Sequence, residues 1–305
     1  MPFALRNVNT YLLRDGAGWT LVDAGLNHAP NRALWATALE QLGIAWTAIR
    51  RIVLTHAHPD HYGAAGWLQE RTGAPVLLSP GEQAFAQRMW RSEGSGEAAI
   101  IGLFGRHGLP VDLAAQVAGD IARLRAETQP APVWGTIDAG DTLLVAGRRF
   151  EAIATPGHSE GHLVFFCAAE RLMLCGDTVL TKITPNISRW PDGAVNPLAD
   201  FLATLDLLAQ LPVELALPGH GPLIRSFAGR LGELRAHHDT RLAHMEQIAW
   251  GGATAFAVCS SVFQVDQLST HQLRFALAET LAHLEYLVSA GRLERVEGEL
   301  VRYQG

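Results

Sequence analysis

Three imidazoles and a carboxylate stand close together in Thr55-His56-Ala57-His58-Pro59-Asp60-His61. The chain has 13 histidines and 13 aspartates in 305 residues. At those frequencies the four positions coincide by chance in about one such chain in a thousand. Imidazole and carboxylate are the ligands that zinc and similar ions take. His56 and His58 are alternate residues of an extended turn, so they point the same way and can share one ion. Asp60 and His61 then face a neighbouring position. Pro59 argues against a helix at this point. Four ligands do not close two tetrahedral sites, so more must come from elsewhere. Three further turns offer them: Pro156-Gly157-His158-Ser159-Glu160-Gly161-His162, Cys175-Gly176-Asp177-Thr178 and Gly219-His220-Gly221. Each follows an apolar run, and the flanking glycines let the backbone turn sharply.

Elements must bring these turns together. Strands are expected over 9–14 and 19–23, joined by the hairpin signal Asp15-Gly16-Ala17-Gly18. A strand over 52–55 runs into His56, with helices over 32–42 and 63–72 and a strand over 75–79. Residues 82–128 read as a helical insertion. Phe85, Met89 and Trp90 have helical spacing, as do Leu113, Val117, Ile121 and Leu124. Gly94-Ser95-Gly96 and 107–110 break the insertion. It either packs over the sheet or forms a lid that selects substrate, and a linker in its place is expected to leave metal binding intact. Strands return over 142–145, 149–155, 163–167 and 171–175, followed by a helix over 198–211 and a strand over 213–217. This grammar, given twice, predicts an α/β fold with two sheets and helices outside. Residues 226–305 differ: a long helix over 228–248, helices near 262–268 and 271–290, then strand, turn at Gly298, strand. That is the outline of a winged helix.

The ordered set His-x-His-x-Asp-His, Gly-His, Gly-Asp-Thr and Gly-His-Gly resembles the metallo-β-lactamase superfamily. The likeness covers residues 1–225 and includes Val22-Asp23-Ala24-Gly25. It implies an αββα sandwich with a two-metal site at one edge. It also implies that His56, His58 and His158 bind one ion, that Asp60, His61 and His220 bind a second, and that Asp177 bridges both. The bridging carboxylate is the pattern of glyoxalase II and ribonuclease Z. The family's diiron oxidoreductases place Glu where His58 stands, which favours hydrolysis here. Two zinc ions are expected, with manganese or iron as alternatives. Asp23 is read as a buttress of the ligand loop and His162 as a support for the cluster. His107 is read as a packed residue or a substrate contact. Ser188, Arg189 and Trp190 are candidates to line the pocket, Cys175 is read as packing, and His237, His238 and His244 as a solvated helix face. The tail resembles the winged-helix-like appendage of the superfamily's endoribonuclease group.

Composition narrows the function. Hydrophobic residues are 48% and charged residues 18%, which excludes a disordered chain. The net charge of −6 and a single lysine, Lys182, argue against a nucleic-acid binder. From Asp266 onward four arginines face six acids, so the C-terminal unit lacks the footprint for phosphates. Three cysteines do not make a disulfide framework. No apolar run approaches a membrane span and no signal peptide is evident, so a cytoplasmic protein with no membrane partner is expected. A homodimer is left open. The leading expectation is a dinuclear hydrolase using metal-bound hydroxide on a small-molecule ester, thioester or lactone. A nuclease acting on single-stranded RNA or DNA is the alternative, and a non-catalytic metal-binding regulator is the third reading. After Gly-Asp-Thr the chain lacks the Gly- and Cys-rich stretch of glyoxalase II, which argues against glutathione thioesters.

Overall fold

The computed structural model describes residues 7–91 and 95–305. The first sheet runs in the order β1 (Tyr11–Asp15), β2 (Gly18–Val22), β3 (Ile49–Val53), β4 (Val76–Leu78), β5 (Trp134–Thr136). Its first pair is antiparallel and the others are parallel. The second contains β6 (Thr142–Val145), β7 (Arg148–Ala154), β8 (Leu163–Cys167), β9 (Leu172–Gly176) and β10 (Leu215–Pro218), in spatial order β10-β9-β8-β7-β6. Here β10 pairs parallel to β9 and the rest are antiparallel.

The central strands β2, β8 and β9 are apolar on both sides because both sides are covered. Val22, Val53, Phe165, Cys167 and Leu174 belong to the layer between the sheets. Their neighbours Leu21, Ile52, Val164, Phe166, Met173 and Cys175 join a larger apolar cluster with the helices. Period-two alternation thus feeds two cores at once. The helices on the first half are α1 (Ala29–Gln41), the single turn α2 (Pro59–Tyr62) and α3 (Ala65–Thr72). On the second half lie α7 (Pro197–Leu208) and α8 (Phe227–Ala249). The insertion supplies α4 (Pro80–Ala86), a π-helical turn over Gln87–Arg91, α5 (Ser95–Arg106) and α6 (Val111–Ala126). The break expected at 94–96 is only partly seen: Gly94 lies outside the described residues, and Ser95 and Gly96 start α5.

Pro59 does not keep the ligand segment extended. It occupies the first position of α2, with His58 as N-cap at φ −66°, ψ 149°. Proline's fixed φ suits that position, and the N–H it lacks has no intrahelical partner there. The strand β5 carried no signal, since Trp134-Gly135-Thr136 is too short to show alternation.

The chain ends with α9 (Ala255–Phe263), α10 (Thr270–Ser289) and a ribbon of β11 (Glu294–Val296) and β12 (Arg302–Gln304). Ser269 and Gln272 form a capping box that fixes where α10 begins. This helix packs against α6, α7, α8 and α9. His238 on α8 is buried, not solvated: its Nδ1 lies 3.1 Å from His283 Nε2 on α10 and its ring faces Phe201. His237 is half-buried and His244 exposed. No described helix is long and apolar enough to cross a membrane.

Candidate metal centre and substrate cavity

Four connections at one edge of the sandwich supply the chemistry. His56 and His58 leave β3, Asp60 and His61 lie on α2, His158 follows β7, Asp177 follows β9 and His220 follows β10. Three groups have ligand atoms within 4.8 Å of one another: His56, His58 and His158; His56, His61 and Asp177; and Asp60, His61 and His220. The approach is close enough to demand glycine. A Cβ on Gly219 would collide with the Asp177 carboxylate and stand 2.6 Å from His61 Cε1.

The donor set suits metal ions. The Nε2 atoms of His58, His61, His158 and His220 and Oδ1 of Asp177 are buried without a hydrogen-bond partner among the described residues. Unpaired buried polar atoms cost about 1–3 kcal/mol each, and cations held between them would satisfy them. Burial, reinforced by neighbouring imidazoles, holds His56 and His58 well below the usual histidine range. Burial also lowers His158, against the pull of Asp177. Neutral imidazole is the form that ligates. Burial acts the same way on His61 and His220, but there carboxylates outweigh it. Asp177, Asp23 and Asp60 raise His61 well above its ordinary value, and Asp177 and Asp60 raise His220 to about 10. Burial would raise Asp60, but His61 and His220 hold it down to about 2; the same two imidazoles hold Asp177 far below the carboxylate range. His220 Nε2 sits 3.2 Å from Asp60 and 3.3 Å from Asp177. A cation held there would displace those protons, since neutral imidazole is the form that ligates.

Other residues fix the ligands. Asp23, at φ 60°, accepts from Thr55 N at 2.8 Å, and its other oxygen lies 2.8 Å from His61 Nδ1. The carbonyls of Asn186 and Asn7 accept from Nδ1 of His158 and His220 at 2.8 and 2.6 Å. Such contacts fix the tautomer and aim the other ring nitrogen. His162 is not in a ligand group: its Nε2 accepts from Asp177 N at 3.1 Å, and Thr155 and Thr178 flank its Nδ1. Glu82 was not anticipated. Its buried carboxylate accepts from Ala57 N at 2.7 Å and Gly161 N at 2.9 Å, clasping the two loops that carry His56, His58 and His158. Trp90 Nε1 donates to Ala57 O at 2.8 Å. Both residues belong to the insertion, so its replacement would loosen a metal loop instead of leaving it intact.

A cavity of about 300 Å³ opens onto the cluster. His58, Asp60, His158, Asp177 and His220 form its floor. Its wall comes from the C-terminal unit: Phe263, Leu268 and the α10 residues His271, Gln272, Phe275, Ala276 and Glu279. The insertion lines none of it; Asp120 of α6 instead braces α10 from behind, 3.2 Å from His271. Nothing in the ligand motifs marks α10 as a wall, although His271, Phe275 and Glu279 share a face at i, i+4 spacing. His107 is buried against Tyr303, where burial pushes it down to about 4, and it lies outside the cavity wall. Arg189 is turned towards the Trp190 and Gly193 carbonyls, and Ser188 towards Asn186; neither lines this cavity. Trp190 packs on Phe275 and Phe104. Cys175 is fully buried, and burial pushes its thiol up.

Two protein families match the chain: the metallo-beta-lactamase superfamily over residues 4–220 and the metallo-beta-lactamase-like C-terminal domain over residues 242–305. A solved metallo-beta-lactamase family protein from Thermus thermophilus is 36% identical, with a TM-score of 0.90 over 100% of this chain and 95% of that one. A beta-lactamase domain protein from Burkholderia ambifaria is 31% identical, with a TM-score of 0.88 over 100% and 90%. "Probable metallo-hydrolase YqjP" of Bacillus subtilis (strain 168) is 26% identical across 94% of this chain and 89% of that protein. Other curated relatives are longer. The match spans 64% of a beta-lactamase-like protein 2 homolog from Caenorhabditis elegans (26% identical, 79% of this chain). It spans 41% of an atrochrysone carboxyl ACP thioesterase from Aspergillus fumigatus (25% identical, 75% of this chain).

Proposed function

This chain belongs to the metallo-β-lactamase superfamily, and on that premise we propose that it is a metal-dependent hydrolase of a small ester, thioester or lactone. The observation that carries the reading is the set of buried, unpartnered imidazole and carboxylate atoms on the floor of an apolar cavity. His56, His58 and His158 would hold one cation, Asp60, His61 and His220 a second, with Asp177 between them. Zinc is the first candidate, and manganese and iron take the same donors. Cations in such a site lower the pKa of water towards neutrality and polarise an acyl oxygen.

The protein's own residues do the rest. Asp60 is positioned to orient a nucleophilic water. His162 pins the Asp177 backbone, and Glu82 keeps the two histidine loops at a fixed spacing. The apolar wall excludes bulk water from the floor, which strengthens each electrostatic contact there. A curated relative named as a thioesterase supports the acyl class. Among the described residues lining the cavity none is lysine or arginine, which weighs against a nuclease. The C-terminal unit, winged-helix-like in its order of elements, serves on this reading as a pocket wall and not as a DNA reader.

Reconstitution with zinc, elemental analysis and a panel of esters, thioesters, lactones, β-lactams and phosphodiesters test the proposal together. Two ions per chain and turnover confined to acyl compounds are expected. One ion or none, or a preference for phosphodiesters, would reject it.

A further inference from the structure

The wall of the cavity has one feature that water exclusion does not require. Apart from the cluster itself, Glu279 is the only carboxylate among the described residues lining it. Leu180, Ile183, Phe263, Leu268, Phe275 and Ala276 line the same cavity. Burial raises Glu279 to about 7, although Arg241 of α8 and a hydrogen bond from Asn186 pull it down. Arg241 is itself placed over the Phe263 ring, 4.6 Å away, and does not line the cavity. No described residue forms an ion pair with Glu279; the one hydrogen bond to its carboxylate among the described residues is from Asn186 Nδ2, at 3.1 Å to Oε2.

The placement of this carboxylate is rigid. Asn186 also donates to Phe275 O at 3.3 Å, and its own carbonyl accepts from His158 Nδ1 at 2.8 Å. Glu279 is therefore held at a set offset from a ligand on the floor. A ligand anchored on the floor and lying along the apolar wall would bring its far end to the half-buried Glu279 carboxylate. In its ionised form, which a bound amine would favour, such a carboxylate accepts from a donor and repels an anion, because either mismatch leaves a polar group unpaired.

We propose that the cavity selects acyl compounds with an apolar body and a terminal hydrogen-bond donor, an amine or hydroxyl, and that Glu279 reads that donor. This rests on the acyl-hydrolase reading above and narrows its substrate class. Compounds ending in carboxylate or phosphate are disfavoured.

Linear hydroxamates of one chain length, ending in amine, methyl or carboxylate, make suitable probes because the hydroxamate anchors on the metal floor without being hydrolysed. Calorimetric titration of the zinc-loaded protein gives their affinities whether or not any ester is turned over. The amine-ended probe is expected to bind at least ~10-fold more tightly than the carboxylate-ended one, the scale of a charge-assisted hydrogen bond. Glu279→Gln should reduce that ratio towards one, and Glu279→Asp should keep its direction. A wild-type ratio near one, or a ratio that Glu279→Gln leaves unchanged, overturns the proposal. If Glu279→Gln does not hold its metal, the wild-type and Glu279→Asp ratios decide alone. Failure of the ester panel with the probe ratio intact would reject the hydrolase reading and leave the donor preference standing.

Discussion

Asp177 lies between the two halves of the cluster, 3.3 Å from His61 and His220 on one side and 3.9 Å from His158 on the other. Asparagine would keep its shape and one acceptor but lose its charge. Asp177→Asn is expected to weaken metal binding at the Asp60–His61–His220 position more than at the three-histidine position. Turnover should fall by at least ~100-fold, since metal activation of water supplies several kcal/mol. Elemental analysis, melting and rate measured together check this; two ions at near-normal turnover would rule out the bridging role proposed for Asp177. Glu82 acts at one remove. In Glu82→Gln one amide N–H must face a backbone N–H, so a loss of about 1–3 kcal/mol in urea unfolding is expected. The zinc affinity of the folded variant should drop too, and unchanged affinity would show that the clasp only stabilises. The ligands were legible because several stand together after an apolar strand or beside glycine. Glu82 was not: a lone glutamate in a helical stretch has no pattern, and its partners Ala57 and Gly161 are backbone groups.

Between elements, the contact of α6 with α10 carries the weight assigned to the insertion. Asp120 sits 3.2 Å from His271, 3.7 Å from Arg274 and 2.7 Å from Arg123. Burial disfavours its charge, but His271, Arg123 and Arg274 outweigh that and hold it at about 2, below the ordinary 3.8. Its folded pKa is depressed, so its stabilisation is full above pH 3.8 and is lost as pH falls towards 2. Asp120→Asn should therefore lower the urea midpoint at pH 7, with the gap to wild type narrowing below about pH 4. A gap that does not vary with pH would mean that shape, not charge, ties the helices. Replacing 82–128 with a Gly/Ser linker should now cost metal content, because Glu82 and Trp90 leave with it. Most strands were readable from their apolar runs, β5 being too short to show one, and helix 255–263 was misplaced because the apolar residues after its cap, Thr254, are not confined to one face. That α10 forms the cavity wall was not readable, since packing across a long sequence separation leaves no local trace.

At the scale of the molecule the two family regions share one apolar cluster. Leu273, Leu277, Leu281 and Leu284 of α10 belong to the same buried set as Phe201, Leu205 and the outer faces of the sheets. A single calorimetric transition is expected, and two resolved transitions would show that the C-terminal unit folds apart. The shared core also has a consequence for how the protein is made. Every proposed ligand lies at or before His220, whereas the helix that completes the cavity spans Thr270–Ser289. At roughly 5–20 residues per second, that helix leaves the ribosome several seconds after the last ligand. Throughout that interval the ligands and the residues that brace them, Asp23, Glu82 and His162, are present while the α10 wall is not. Closure of the cavity thus becomes a late step of biosynthesis, and a chain arrested once residue 220 has cleared the ribosome is expected to take up zinc at a site still open to solvent.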